Sequence, residues 1–262
     1  MKPLTHSLAA LGLAALALSA QAQVDVQRPR FLVLPEAMAN QASAQQYAQM
    51  LAEARGKAAL NRDAAQTARV RRIAERLVPH GQRFNPAIAN WRWEANVFNS
   101  PTVNAFAMPG GKIAVYSGLI DKLGLSDDEL AAVIGHEIAH AVLEHGRARM
   151  QNELAQNVGV AALSMYFGLG DLGAAALSQA ADVALALPYS RGQEVDADLA
   201  GLEMAARAGY DPRAAVSVWQ KMSQQGGGQP PQWLSTHPDH QKRIKEIEVA
   251  LPKVMPLYKA AR

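Results

Sequence analysis

The sequence His136-Glu137-Ile138-Ala139-His140 decides how this chain folds and how it is interpreted. Ser126 and Glu129, ten and seven residues before His136, form a capping box that predicts the start of a helix. Apolar side chains then recur every fourth residue, at Leu130, Ile134, Ile138 and Val142. This spacing predicts an amphipathic helix over 127–147 with its apolar face in the core.

Two histidines four positions apart on a helix can bind one metal ion. Side chains at i and i+4 are stacked one turn apart, so the imidazoles of His136 and His140 can reach the same ion. Glu137 lies about 100° around the helix from His136, which brings its carboxylate near a water on that ion. His145 would lie about 140° from His140 on the same helix, so we do not expect it to join the metal. The pattern predicts a zinc site with His136 and His140 as ligands and Glu137 as the catalytic base.

A second helix, predicted over 190–208, offers a third ligand. Catalytic zinc takes three protein ligands and keeps a fourth position open. Glu194 and Asp198 are four residues apart, so both can face the first helix. The geometry suggests Glu194 as the third ligand and Asp198 as the acceptor for the outer N–H of a ligating histidine. An acidic pair alone is more often a solvated helix face, so this assignment depends on the surrounding motifs.

The composition of the 262-residue chain excludes several classes of protein. Hydrophobic residues make up 49% and charged residues 19%, as in an ordinary globular domain. The absence of cysteine excludes disulfides, thiolate catalysis and a lipoprotein anchor, so a metal site must use histidines and carboxylates. The formal charge of +3 is spread along the chain, which argues against a nucleic-acid partner.

The first 22 residues have the features of an export signal. Lys2 precedes an apolar run over 8–18, and Ala20-Gln21-Ala22 is a small-x-small cleavage site. The run is shorter than the roughly 20 residues that span a bilayer. We therefore expect a signal peptide over 1–22 and a single periplasmic domain over 23–262.

The remaining segments predict a mainly helical α+β fold. Residues 41–78 have helical spacing, and 91–116 alternate as three strands of a small, mainly antiparallel sheet. Residues 156–187 are nearly uncharged and predict an apolar helical hairpin, with a peripheral membrane contact left open. A Gly/Pro-rich loop over 226–231 precedes a last helix over 239–250.

Several motifs resemble one family of zinc metalloendopeptidases. Besides the His136–His140 motif, the blocks that carry the resemblance are Asn104-Ala105-Phe106-Ala107-Met108-Pro109-Gly110-Gly111, Ser190-Arg191-Gly192-Gln193-Glu194-Val195-Asp196-Ala197-Asp198, Gly209-Tyr210-Asp211-Pro212, and Ser235-Thr236-His237-Pro238 with Arg243. Over 96–247 the chain is similar to proteases related to the CAAX prenyl endopeptidase, HtpX and the mitochondrial Oma protease. The resemblance implies a zincin-like domain of the gluzincin type, one Zn²⁺ per chain, Glu194 as the third ligand, and internal cleavage of polypeptides.

The expected function is quality control in the envelope. Relatives of the HtpX type carry transmembrane helices, whereas this chain offers only an export signal, so it resembles a compact periplasmic branch. We expect unfolded or misassembled proteins, including outer-membrane proteins, as substrates. The alternative is a chaperone-like holdase or assembly factor with slow or conditional proteolysis.

Four further residues have open roles. The family pattern places His237 near the metal, as an oxyanion contact or as a gate in the fourth zinc position, although it could instead cap the final helix. Arg243 is either a contact to the substrate or oxyanion or a structural partner of Asp198 or Glu194, and we slightly favour the structural role. Asn104 and Phe106 would flank the cleft if the strand over 103–108 binds substrate along its edge; an ordinary core hairpin is almost equally favoured.

Overall fold

The computed structural model describes residues 23–29, 31–157, 170–224, 232–238 and 240–262. The predicted signal peptide, the first part of the predicted hairpin and the Gly/Pro-rich loop fall on residues outside these ranges. Within the described ranges, the helices are α1 Glu36–Gly56, α2 Ala64–Gly81, α3 Ser117–Leu123, α4 Asp127–Val142, α5 His145–Asn157, α6 Gly170–Ala186, α7 Arg191–Arg207, α8 Ala214–Gln224, α9 Gln232–Thr236 and α10 His240–Ala260. The mainly helical fold class is confirmed.

The three strands are β1 Glu94–Phe98, β2 Ala105–Met108 and β3 Lys112–Tyr116. They form one sheet in the order β1-β3-β2, with β2 antiparallel and β1 parallel to β3. The sheet is therefore mixed rather than mainly antiparallel. The two-residue alternation of a strand fixes which face each side chain takes but not the direction of its neighbour. Because β3 lies between the other two, β2 is an edge strand.

Helix α4 lies at the centre of the core and crosses α7 at close range. Gly135 and Gly201 face each other at the crossing, and a Cβ on Gly201 would lie 2.8 Å from the backbone nitrogen of His136. The capping box predicted for Ser126 and Glu129 is present. The close approach brings the first turn of α7 beside the histidines of α4.

The predicted helix over 127–147 is interrupted. Helix α4 ends at Val142, and α5 begins at His145 after a two-residue link. Glu144 in this link is in the left-handed region, with a φ of 61°. A non-glycine residue rarely adopts that conformation, so the apolar spacing that predicted one continuous helix could not reveal the turn.

An N-terminal segment, described over residues 23–29 and 31–34, lies against α7 and α5. The backbone N–H of Val24 donates to the buried carboxylate of Glu203 at 2.8 Å. Farther along, Arg28 forms an ion pair with Glu144. The carbonyl oxygen of Leu34 accepts a hydrogen bond from Arg147 at 2.6 Å. The sequence analysis assigned this segment no structure, since its partners are remote along the chain.

The described half of the predicted apolar hairpin is packed against protein. Leu177, Ala180, Ala181 and Ala184 of α6 share a cluster with side chains of α1 and α5. None of the described helices combines the length and the hydropathy needed to cross a bilayer. The predicted peripheral membrane contact stays a prediction.

Candidate active site

Helix α4 carries the three side chains of the central motif on its buried face. His136, Glu137 and His140 are at most 4% exposed. The Nε2 atoms of His136 and His140 lie 3.0 Å apart, so both imidazoles point to one place, as the i, i+4 spacing predicts.

The first turn of α7 brings Glu194 to the same place. Ser190 caps this helix by accepting a hydrogen bond from the backbone N–H of Gln193, and the Gln193 side chain returns to the Ser190 N–H. The carboxylate oxygens of Glu194 lie 3.4 Å from His140 Nε2 and 3.7 Å from His136 Nε2. The predicted third ligand and the two predicted histidines therefore meet.

His237 completes the cluster from the chain just after α9. Its Nδ1 atom lies 3.2 Å from His136 Nε2 and 3.0 Å from Glu194 Oε1. One ligand atom from each of His136, His140, Glu194 and His237 can be chosen so that all four lie within 4.8 Å of one another. Of the roles left open for His237, this position matches a fourth ligand or gate.

The four side chains fit a zinc ion in number, chemistry and spacing. Tetrahedral zinc with nitrogen and oxygen ligands separates its ligand atoms by about 3.3–3.5 Å, close to the distances found here. Burial alone would raise the pKa of Glu194, but its interactions with His237 and the hydrogen bond from His140 hold that pKa well below its ordinary value. Burial lowers the pKa of His140. An ionised carboxylate beside a neutral imidazole is the state in which these groups bind a metal.

Asp198 and Arg243 support the ligands from behind. Asp198 Oδ1 lies 2.9 Å from His136 Nδ1, the outer nitrogen of that ring. Arg243 donates two hydrogen bonds of 2.6 Å to the Asp198 carboxylate and also pairs with Glu194. Burial alone would raise the pKa of Asp198, but the charge of Arg243 lowers it, so the carboxylate stays ionised. These contacts match the structural role favoured for Arg243.

Trp233, which no sequence motif marks, contacts the predicted base. Its indole Nε1–H donates to Glu137 Oε1 at 2.6 Å, and its side chain is buried. The backbone N–H of Trp233 also donates to the carbonyl oxygen of Val103, just before β2, at 3.1 Å. In the sequence, only its position four residues before His237 pointed to Trp233 as a partner of Glu137, and its neighbours form no functional motif.

His145 was also missed, because it was placed on a continuous helix. Its Nδ1 atom lies 3.0 Å from Nδ1 of His140, and it is 1% exposed. Burial lowers the pKa of His145 to about 3. The expectation that His145 points away from His140 on one continuous helix was therefore wrong.

Strand β2 runs beside α4, but the two side chains predicted to flank the cleft do not reach the metal cluster. Phe106 packs near Tyr116, in the cluster on the sheet face beneath α1. The side-chain oxygen of Asn104 accepts a hydrogen bond from the N–H of Ala105. Since Tyr116 donates to the Asn104 carbonyl oxygen, the backbone groups of Ala105 and Ala107 point outward, away from β3. The edge of β2, rather than these side chains, is the part of the strand on which substrate binding would depend.

Comparisons with known proteins agree with this geometry. The model of peptidase family M48 matches residues 64–250. The mitochondrial metalloendopeptidase OMA1 of Arabidopsis thaliana is 42% identical over 161 residues, covering 60% of this chain and 31% of that protein. OMA1 of Bos taurus is 31% identical over 239 residues, covering 87% of this chain and 45% of that protein. The metalloprotease LoiP of Escherichia coli is 32% identical over 168 residues, 64% of each chain. The chain thus spans less than half the length of these two mitochondrial relatives.

Proposed function

The chain belongs to peptidase family M48, and on that basis we propose that it is a zinc-dependent endopeptidase that cleaves internal peptide bonds. The observation that carries the proposal is the meeting of His136, His140 and Glu194, with Glu137 on the next position of the same helix. Three ligands and an adjacent carboxylate are the parts needed for metal-assisted amide hydrolysis.

Each side chain has a separate role in this reaction. His136, His140 and Glu194 would hold zinc, which when bound supplies Lewis-acid activation of water and of the scissile carbonyl. Glu137 takes the proton of the attacking water and passes it to the leaving amine. Asp198, itself held by Arg243, accepts the outer N–H of His136 and keeps that ring oriented.

The chain from Trp233 to His237 occupies the space that a substrate needs. The Trp233 side chain engages Glu137, its backbone engages the edge of β2, and His237 lies at the fourth ligand position. A bound peptide would compete for the backbone contact, because extended peptides pair with sheet edges through their main chain. We therefore assign His237 the role of a gate, and cleavage requires this segment to move.

The proposed setting is the bacterial periplasm, with unfolded or misassembled envelope proteins, including outer-membrane proteins, as substrates. The support is the predicted export signal and the outward-facing backbone of β2, which would offer main-chain hydrogen bonds to an extended chain. Main-chain recognition tolerates many sequences, as a quality-control protease requires.

The closed arrangement also supports a second candidate, a holdase or assembly factor with slow or conditional proteolysis. A base hydrogen-bonded to Trp233 and a gate beside the ligands would both suppress turnover. The same outward edge could hold an unfolded chain without cutting it.

The test is the variant Glu137→Gln, with Glu75→Gln on the exposed face of α2 as the control. We expect Glu137→Gln to retain one zinc per chain but to cleave unfolded casein roughly 10²- to 10⁴-fold more slowly, because it lacks the general base. Wild type and Glu75→Gln should cleave alike. Cross-linking of Glu137→Gln in cells should capture periplasmic proteins.

Two results would contradict the proposal. Casein cleavage by Glu137→Gln at the wild-type rate would show that Glu137 is not the general base. If wild type and Glu137→Gln both suppressed aggregation and neither cleaved casein, the holdase would be favoured.

A further inference from the structure

We propose that His145 is a positioning residue for His140, accepting a hydrogen bond that fixes which ring nitrogen of His140 faces the metal. The inference rests on the proposed zinc site. Its basis is the 3.0 Å contact between the Nδ1 atoms of the two rings, both of which are buried.

The direction of this hydrogen bond follows from which nitrogen of His140 faces the metal site. Nε2 of His140 faces the cluster, 3.0 Å from His136 Nε2 and 3.4 Å from Glu194. A ligating nitrogen carries no proton, so the single proton of a neutral His140 ring must lie on Nδ1. Two Nδ1 atoms at 3.0 Å need one donor and one acceptor. His145 is therefore the acceptor, with its own proton on Nε2.

The break between α4 and α5 brings His145 into contact with His140. On a continuous helix His145 would lie about 140° from His140. The left-handed turn at Glu144 breaks the helix instead, and the Glu144 side chain is held by ion pairs with Arg28 and Arg147. A non-glycine residue in this conformation is strained, and the surrounding contacts must offset that strain. Such an arrangement is expected where a turn aims a functional side chain.

The two motif histidines thus have acceptors of different charge. His136 faces the carboxylate of Asp198, which Arg243 neutralises, whereas His140 faces a neutral imidazole. Tyr189 completes the support by stacking on the His140 ring at a centroid distance of 3.7 Å.

The first test measures zinc affinity by competition with a chromogenic chelator, so it does not depend on proteolysis. His145→Leu removes the acceptor, and we expect roughly 10- to 100-fold weaker zinc binding, the usual effect of losing a partner behind a ligand. His145→Asn places its amide oxygen near the former Nδ1 position and should restore most of the affinity. His80→Leu, on α2, is the control and should bind zinc like the wild type.

Equal zinc affinity in wild type and His145→Leu would overturn the proposal. Equally weak binding by the Asn and Leu variants would also overturn it, because ring packing rather than the acceptor would then matter. A wild-type protein that binds no zinc would instead contradict the proposed function.

The second test needs no variant and covers the case in which His145→Leu fails to fold. Long-range ¹⁵N–¹H spectra of the zinc-loaded wild type report the protonated nitrogen of each histidine. We expect the proton on Nδ1 of His140 and on Nε2 of His145. A proton on Nδ1 of His145 would reverse the hydrogen bond and overturn the proposal.

Discussion

At the scale of single residues, Glu137 is hydrogen-bonded by the same segment that lies over the metal cluster. Trp233 donates to its carboxylate while His237 lies 3.5 Å from it. A hydrogen bond to a charged acceptor contributes about 1.5–3 kcal/mol, enough to favour the closed arrangement over an open one. In the proposed mechanism, the base is thus held by the segment that would have to move before cleavage.

The variant Trp233→Phe tests this restraint. It keeps an aromatic ring but removes the N–H donor, so we expect basal casein cleavage to rise by roughly tenfold, since about 1.4 kcal/mol corresponds to a factor of ten. The matched control is Trp91→Phe, because the Trp91 indole N–H donates to Glu36 at 2.6 Å, on a different part of the surface. A lower rate for Trp233→Phe with unchanged zinc content would mean that Trp233 supports the base instead of restraining it.

At the scale of secondary-structure elements, the edge strand β2 connects the sheet to the site. Its outward backbone groups alternate with those bonded to β3, and the backbone N–H of Trp233 bonds to Val103 just before it. A substrate strand could extend this row in the direction of α4.

Substitution of Ala105 by proline tests substrate binding at this edge. Proline removes an N–H from the outer edge and restricts the backbone, so we expect casein cleavage to be lost while the zinc content per chain stays at the wild-type level. Ala105→Ser, which keeps the N–H, should cleave normally. Retained activity in the proline variant would argue for an ordinary core hairpin.

Glu129, in the first turn of α4, should make the stability of the fold depend on pH. Burial alone would raise the pKa of Glu129, but hydrogen bonds from Lys221, the Ser126 backbone and Ser217 lower it. Because the folded pKa lies below the ordinary value of 4.5, the unfolded chain binds the proton first as the pH falls. The stabilisation from Glu129 is therefore complete above about pH 4.5 and is lost as the pH falls through the folded pKa.

Glu129→Gln isolates this contribution in urea unfolding. Glutamine can keep the reciprocal bond of the capping box but does not titrate. We expect the variant to be less stable than wild type at pH 7, with the difference shrinking toward pH 3. A constant difference across this range would show that the Glu129 charge does not contribute.

At the scale of the whole molecule, the site is assembled from parts far apart in the chain. Helix α4 supplies His136 and His140, α7 supplies Glu194, and the chain after α9 supplies His237. The N-terminal segment ties α7 to the turn before α5 through Glu203 and Glu144. Zinc bound by all of these parts would stabilise the entire fold.

Metal removal should therefore lower the melting temperature. A ligand at a hundred times its dissociation constant stabilises a fold by about 2.7 kcal/mol, and a domain of this size gains about 2–4 °C per kcal/mol. We expect a drop of about 5–10 °C in a zinc chelator, reversed by added zinc. Glu194→Gln should show a much smaller shift in the chelator. An equal shift in wild type and Glu194→Gln would show that Glu194 is not a zinc ligand.

Much of the site follows from local sequence. The i, i+4 pairs His136/His140 and Glu194/Asp198 and the capping residues Ser126 and Ser190 are patterns within a single helix, where a fixed spacing sets which side chains share a face. The mainly helical fold could be predicted for the same reason, whereas the family was predicted from the resemblance of several motifs to known proteases.

The tertiary structure alone decided the rest, because it depends on contacts between distant residues. The parallel pairing of β1 with β3, the turn at Glu144 that brings His145 to His140, and the hydrogen bond from Trp233 to Glu137 join segments whose pairing leaves no periodic signal in the sequence. Local sequence determined which proposed metal ligands share a helix; packing determined what orients them and what covers them.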